Sequence, residues 1–345
     1  MDLSGFRATP SLMYGSFTPR FSIASDGTPS GGFFRDGRSL SLADQAQQPF
    51  LTPFEMANAT PADVAAKLAT RPYLSEFEAV FGADIMRDPT QVLAAIGAAL
   101  AAYQTEEPSF HPFSSKFDYY LKGRATLSPI ELKGLALFND PTKGNCATCH
   151  VSRGANGNPP LFTDFTYDNV GLPRNWKITA NQAGPQLSYV PQNGNALGGD
   201  YAYYDLGLCG PFNTENAFRG SLCGNFKVPT LRNVALRHQL FHNGVFDNLN
   251  DAVTWYVTRD TNPTRWYGKQ DGTPDLLYND LPRSHTRNVN VSEVPYVQSL
   301  APTLDTQEIS DVIAFLCTLT DGYDPQNPAA LPTPPQCAAA QAAGR

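Results

Sequence analysis

Apolar positions recur at helical spacing in five stretches of the chain, separated by segments rich in Gly, Pro, Asn and Asp. Thr60-Pro61-Ala62-Asp63 offers a cap, a Pro at the first helical position and an acid in the first turn, ahead of Val64 and Leu68. After a break at Arg71-Pro72 the same stretch continues with Phe77, Val80 and Phe81. Asp88-Pro89-Thr90-Gln91 opens a longer helix that places Val92, Ile96, Leu100 and Tyr103 on one face, the spacing of core residues. Ser128-Pro129-Ile130-Glu131 is a capping box ahead of Leu135 and Phe138. Asn248, with Asp251 in the first turn, starts a helix containing Trp255 and Tyr256. The last stretch runs from Asp305 to Leu319, with Glu308 at the box position, Ile309, Val312, Ile313 and Leu316 inward, and Gly322 as a stop. A weaker cap at Ser41 predicts a short helix to Pro49. The pattern predicts a mostly α protein: one helical unit over 1–125, a second over 126–325, and an extended Pro/Ala/Gln-rich tail over 326–345.

Composition narrows the partners. A net charge of -7 on 345 residues argues against nucleic acid and anionic membrane surfaces. The longest nearly apolar run, Val92 to Tyr103, is too short to span a bilayer.

The stretch Cys146-Ala147-Thr148-Cys149-His150 brings in chemistry. It reads C-x-x-C-H, the attachment motif of a c-type haem. Thiols at this spacing can each form a thioether to one vinyl group of a porphyrin, and the adjacent imidazole can bind the iron. Chance would give this pattern in about one in a thousand chains of such composition. A zinc half-site would need a second C-x-x-C or H-x-x-x-H, and the sequence has neither. The long aperiodic segment 151–226 then reads as a wrap over one haem edge. Four further cysteines, Cys209, Cys223, Cys317 and Cys337, allow three pairings. The local one joins Cys209 to Cys223 and Cys317 to Cys337; the alternative is four buried free thiols. Paired cysteines and haem attachment both point to the periplasm, although Met1 to Arg7 has no secretory-signal character.

Taken together, these features resemble the bacterial dihaem cytochrome c peroxidase/MauG family. The resemblance rests on Ala8-Thr9-Pro10-Ser11-Leu12, Asp36-Gly37-Arg38, Gln45-Ala46, Pro53-Phe54-Glu55-Met56, Leu135 to Phe138, the haem motif, Phe162-Thr163-Asp164, Phe226 to Val234, and Phe241-His242-Asn243-Gly244. The Cys209–Cys223 loop and Phe110-His111-Pro112-Phe113 look like the MbnH-type branch. The resemblance implies two cytochrome c-like helical domains with long irregular loops. It implies a haem c held by Cys146, Cys149 and His150. The distal ligand falls fourteen residues beyond His242, at Tyr256, where peroxidases usually have Met. A phenolate is a hard anionic donor that lowers the iron potential and favours oxidised states. His242, Lys227 and Arg232 are implied neighbours of a haem propionate. A second, five-coordinate haem is implied in the first domain, with Gln45, Pro49 and Glu55 in its distal pocket and Glu55 as the acid–base group for peroxide.

Three positions depart from the family pattern. The first-haem motif would precede Ala8, so the printed chain is expected to lack that upstream segment. A Trp between the haems is replaced by Arg35, which is not readily oxidised. The positions for an inter-haem calcium are Ala8, Arg237 and Gln239, which puts calcium in doubt and makes Arg35 or Arg237 the candidate positive charge. His111, His238 and His285 read as solvated or hydrogen-bonded. The implied activity is a periplasmic oxidoreductase that uses hydrogen peroxide to reach a high-valent haem state and oxidise a partner protein. One alternative is a peroxidase fed by a small redox protein. Another is a single-haem electron-transfer protein, if the chain is complete as printed.

Overall fold

The computed structural model describes residues 5–155, 157–182, 204–213, 219–268, 277–296, 301–328 and 333–343. Its helices are α1 (Leu42–Leu51), α2 (Pro61–Leu68), α3 (Leu74–Phe81), α4 (Pro89–Glu106), α5 (Lys116–Leu121), α6 (Pro129–Asn139), α7 (Thr179–Gln182), α8 (Leu249–Thr258), α9 (Thr306–Cys317) and α10 (Pro335–Ala343). Their starts follow the local chemistry. Thr60, Ser128 and Asp305 each close a capping box with the acid three residues on. Asp88 and Asn248 accept from backbone N–H groups of the first turn.

The first helical group is built on α4. Gly97 lets α1 come close: a Cβ there would sit 2.4 Å from the Ala43 carbonyl oxygen. Ala65 and Leu68 of α2 pack on Val92. The expected core face of α4 is displaced, because α1 and α2 take adjoining sides: Val92, Leu93, Ala95, Gly97 and Gln104 are buried, while Tyr103 is exposed. Val80 on α3 is likewise exposed. α1 passes through Pro49 and ends two residues later, at Leu51.

The second group centres on the α6–α9 pair. Gly134 permits their contact, since a Cβ would lie 1.9 Å from the Asp311 carbonyl oxygen. Phe138, Phe162 and Phe117 converge on Phe315 at ring distances of 5.2, 6.1 and 5.4 Å. α8 buries Leu249, Ala252, Trp255 and Val257 in the same core. The tail departs from the expected extended form. Residues Pro335–Ala343 are helical, and Cys337 is bonded to Cys317 at the end of α9, giving this apolar turn a surface to pack on. Cys209 and Cys223 form the other disulfide.

Two short antiparallel ribbons tie the loops: β1 (Ser22–Ile23) with β2 (Pro29–Ser30), and β3 (Tyr167–Asp168) with β4 (Phe226–Lys227). The two helical groups are also linked directly. The Tyr14 hydroxyl donates to Asp321, and the Ala8 N–H donates to the His242 carbonyl at 2.8 Å. No helix among the described residues is long and apolar enough to cross a membrane.

Candidate functional site

The C-x-x-C-H segment follows α6 and is fixed by its backbone. Asn145 takes a left-handed conformation, with φ 51°, and its side chain donates to the Val294 carbonyl at 2.9 Å. Cys146 to Thr148 make one 3-10 turn, closed by the Cys149 N–H on the Cys146 carbonyl, and the His150 N–H donates to the same oxygen at 2.8 Å. The Asp164 N–H holds the Cys149 carbonyl at 2.9 Å. Both thiols are free, whereas the other four cysteines are paired. Burial pushes the Cys146 thiol up to about 12, and burial plus nearby carboxylates does the same to Cys149. These are neutral thiols, not poised thiolates.

His150 Nδ1 lies 2.9 Å from the Phe162 carbonyl oxygen. A carbonyl only accepts, so Nδ1 carries the proton and Nε2 keeps its lone pair. Burial lowers the His150 pKa and favours this neutral imidazole. Phe162 itself sits at φ 53°, a costly conformation for an aromatic residue, held by a wholly buried ring.

These groups line a cavity of about 340 Å³, whose walls include Phe138, Leu172, Leu240, Val253, Val312 and Leu316. Tyr256, from the last turn of α8, lines the same cavity. Its ring stacks on Tyr296 at 5.7 Å and packs against Phe241 and Trp255 at 5.4 and 5.1 Å. Burial raises its pKa far above the usual phenol value, and a hydrogen bond from Tyr296 works in the opposite direction. The donor set fits a covalently attached porphyrin: two neutral thiols, an imidazole with a free Nε2, a buried phenol and apolar walls. Among the described residues, no three His, Cys, Asp or Glu side chains are grouped to hold a bare metal ion.

The remaining sequence candidates separate. Gln45 lines the cavity from α1; Glu55 lies in the turn after that helix, exposed, and does not line it. His242 lines it too, stacked on Phe226 at 3.4 Å with Nε2 3.2 Å from Asp280 Oδ2. The Lys227 ammonium donates to the Gly32 carbonyl on the cavity wall. Arg232 lines the cavity as well and is held from behind: its two terminal nitrogens pair with Asp118 at 2.9 and 2.8 Å and its Nε donates to the Pro160 carbonyl. His285 is buried with neither ring nitrogen hydrogen-bonded, contrary to the solvated or bonded role expected. His111 and the exposed His238 match it. Tyr296 escaped sequence reasoning because it lies in an aperiodic segment, where a lone Tyr carries no signal of its own.

Comparison with known proteins gives consistent results. The di-haem cytochrome c peroxidase family model matches residues 2–126. Methylamine utilization protein MauG of Paracoccus denitrificans (strain Pd 1222) is 36% identical over 331 residues, covering 93% of this chain and 76% of that protein. Cytochrome c551 peroxidase of Nitrosomonas europaea is 32% identical over 232 residues, covering 64% and 52%. The crystal structure of the diheme peroxidase BthA from Burkholderia thailandensis E264 superposes with a TM-score of 0.80 at 36% identity, covering 95% of this chain and 77% of that chain.

Proposed function

The chain belongs to the di-haem cytochrome c peroxidase/MauG family, and from that premise we propose that it is a periplasmic, peroxide-dependent haem oxidase acting on a partner protein. Members of the family are haem-dependent peroxidases or oxidases. The observation that carries the finer reading is Tyr256 on the wall of the cavity that His150 and the two free thiols also line. Two disulfides alongside the haem motif support an oxidising compartment.

Cys146 and Cys149 would hold the haem through thioethers, and His150 and Tyr256 would offer donor atoms to its iron. Bound there, the haem would supply electron transfer. The protein's part is to set the donors. The Phe162 carbonyl keeps the His150 proton on Nδ1 and leaves the Nε2 lone pair for the iron. Tyr256 packs against Trp255, Phe241 and Tyr296, which fixes its ring. As a phenolate it would favour the oxidised cofactor, which suits an oxidase that stores oxidising equivalents for a slow protein reaction. Gln45 on α1 and Glu55 in the following turn are proposed as the peroxide-handling pair of the family's second haem, not of the one at Cys146, with the Glu55 carboxylate taking and returning the proton.

A second reading, a peroxidase fed by a small redox protein, is favoured by Arg35, which offers no oxidisable ring between the two helical groups. The test is steady-state turnover of a reduced small cytochrome with peroxide by the haem-loaded protein. We expect slow turnover for the native protein and at least a tenfold rise in Tyr256→Met. Fast native turnover, unchanged by Tyr256→Met, would establish the second reading instead.

A further inference from the structure

A group of cations on the cavity wall has no carboxylate of its own. Arg35, Lys227 and Arg237 all line the cavity. Each is bonded to a main-chain carbonyl: Arg35 Nε to Ala8 at 2.8 Å, Arg237 to Thr9 at 2.5 Å, and Lys227 to Gly32. The nearby acids are already engaged. Arg7 takes both oxygens of Asp205, at 2.5 and 2.7 Å, and reaches Asp36 at 2.8 Å. Arg38 takes both oxygens of Asp36, at 3.0 and 3.1 Å. Asp280 is occupied by His242 and Asn243. Among the described residues, none of the three cations forms an ion pair.

The electrostatic cost is visible in their titration. Burial, with Arg237 and Arg7 adding repulsion, pushes Arg35 down to about 9. Burial lowers Lys227 to about 8, and Arg35 contributes to that shift. Like charges gathered on a low-dielectric wall are unfavourable unless an anion joins them. Carbonyls solvate these groups but do not neutralise them. Among the described residues Arg35 donates through Nε alone, which leaves its terminal N–H groups for a planar, two-oxygen acceptor.

We infer that Arg35 and Arg237, with Lys227, form a cationic clamp for the carboxylates of the porphyrin attached at Cys146 and Cys149. The clamp rests on the reading of the cavity as a haem site and adds two arginines to it. A porphyrin of this type carries two carboxylates, which matches the uncompensated charge in sign and the free guanidinium edges in shape. It also gives Arg35 a positioning role: its charge stabilises the reduced cofactor and offsets the oxidising bias of an anionic Tyr256.

The test is the midpoint potential of the haem at Cys146 and Cys149 in the haem-loaded protein and in Arg35→Gln, Arg35→Lys and Arg237→Gln. Removing a positive charge should lower the reduction equilibrium constant by roughly tenfold, about 59 mV for one electron. Arg35→Lys should recover most of it. Vibrational bands of the porphyrin carboxylates should shift in Arg35→Gln and Arg237→Gln. If Arg35→Gln does not fold, the half-buried Arg237 reports on the same clamp. Unchanged potentials and unchanged carboxylate bands in haem-loaded Arg237→Gln and, where it folds, Arg35→Gln would overturn the clamp and leave the haem site standing. Peptide masses showing no haem on Cys146 and Cys149 of the native protein would overturn the haem site, and the clamp with it.

Discussion

Several side chains at the site carry one electrostatic assignment each. His150 is neutral with its proton directed at a carbonyl, and Tyr256 is a phenol packed among aromatic rings. Arg232 shows what a residue-level reading leaves out. Its sequence block suggested a cofactor contact, and it does line the cavity, but its guanidinium is also paired with Asp118, between the rings of Tyr14 and Phe113 at 4.8 and 4.5 Å. Nothing in the one-dimensional pattern links positions 118 and 232, so that pairing could not be read. It predicts a stability effect. Asp118→Asn should cost about 3–5 kcal/mol in urea unfolding at neutral pH, because a buried guanidinium loses its charge partner. The pH dependence follows from the acid. Burial alone would raise the Asp118 pKa, but the Arg232 hydrogen bond and charge and the Ser115 bonds outweigh it, and the folded value is lowered below 3.8. The pair's contribution is therefore complete above about pH 4 and is lost as pH falls through the lowered folded value. The acid limb of the stability curve should be shallower in Asp118→Asn than in the native protein.

Helices were the most legible elements, because their caps are local chemistry. Thr60, Asp88, Ser128, Asn248 and Asp305 all start helices where their side chains can satisfy first-turn N–H groups. Burial was less legible where two neighbours share one helix. The apolar spacing of α4 pointed to Tyr103, but α1 approaches over Gly97 and the buried line turns toward Gln104. The tail was misread because Pro and Ala suggested an extended chain, while the Cys317–Cys337 bond brings a helix onto α9. Close helix contact also yields a prediction. Gly134→Ala would press a methyl group into the Asp311 backbone, and a structure that relaxes should still lose about 1–3 kcal/mol. Because α6 carries Phe138 into the cavity wall, the same variant should broaden the haem absorbance band; calorimetry and visible spectra check the two effects.

At the scale of the molecule, two helical groups meet around one cavity that both line, with helices and loops each contributing residues to its wall. Gln45 and Arg35 reach it from the first group, and His150 and Tyr256 from the second. The C-x-x-C-H motif was legible because thioether spacing is local. The Arg35 and Arg237 clamp was only half legible, since its logic depends on which carboxylates Arg7 and Arg38 have already taken. The central claim is that this cavity holds a haem c with His150 and Tyr256 as its axial pair. The most direct measurement is the near-infrared magnetic circular dichroism of the oxidised, haem-loaded protein beside Tyr256→Phe. The account predicts no sulfur-ligand charge-transfer band in the native protein and loss of its low-spin signature in Tyr256→Phe. A sulfur-ligand band, or identical spectra for the two proteins, would contradict it.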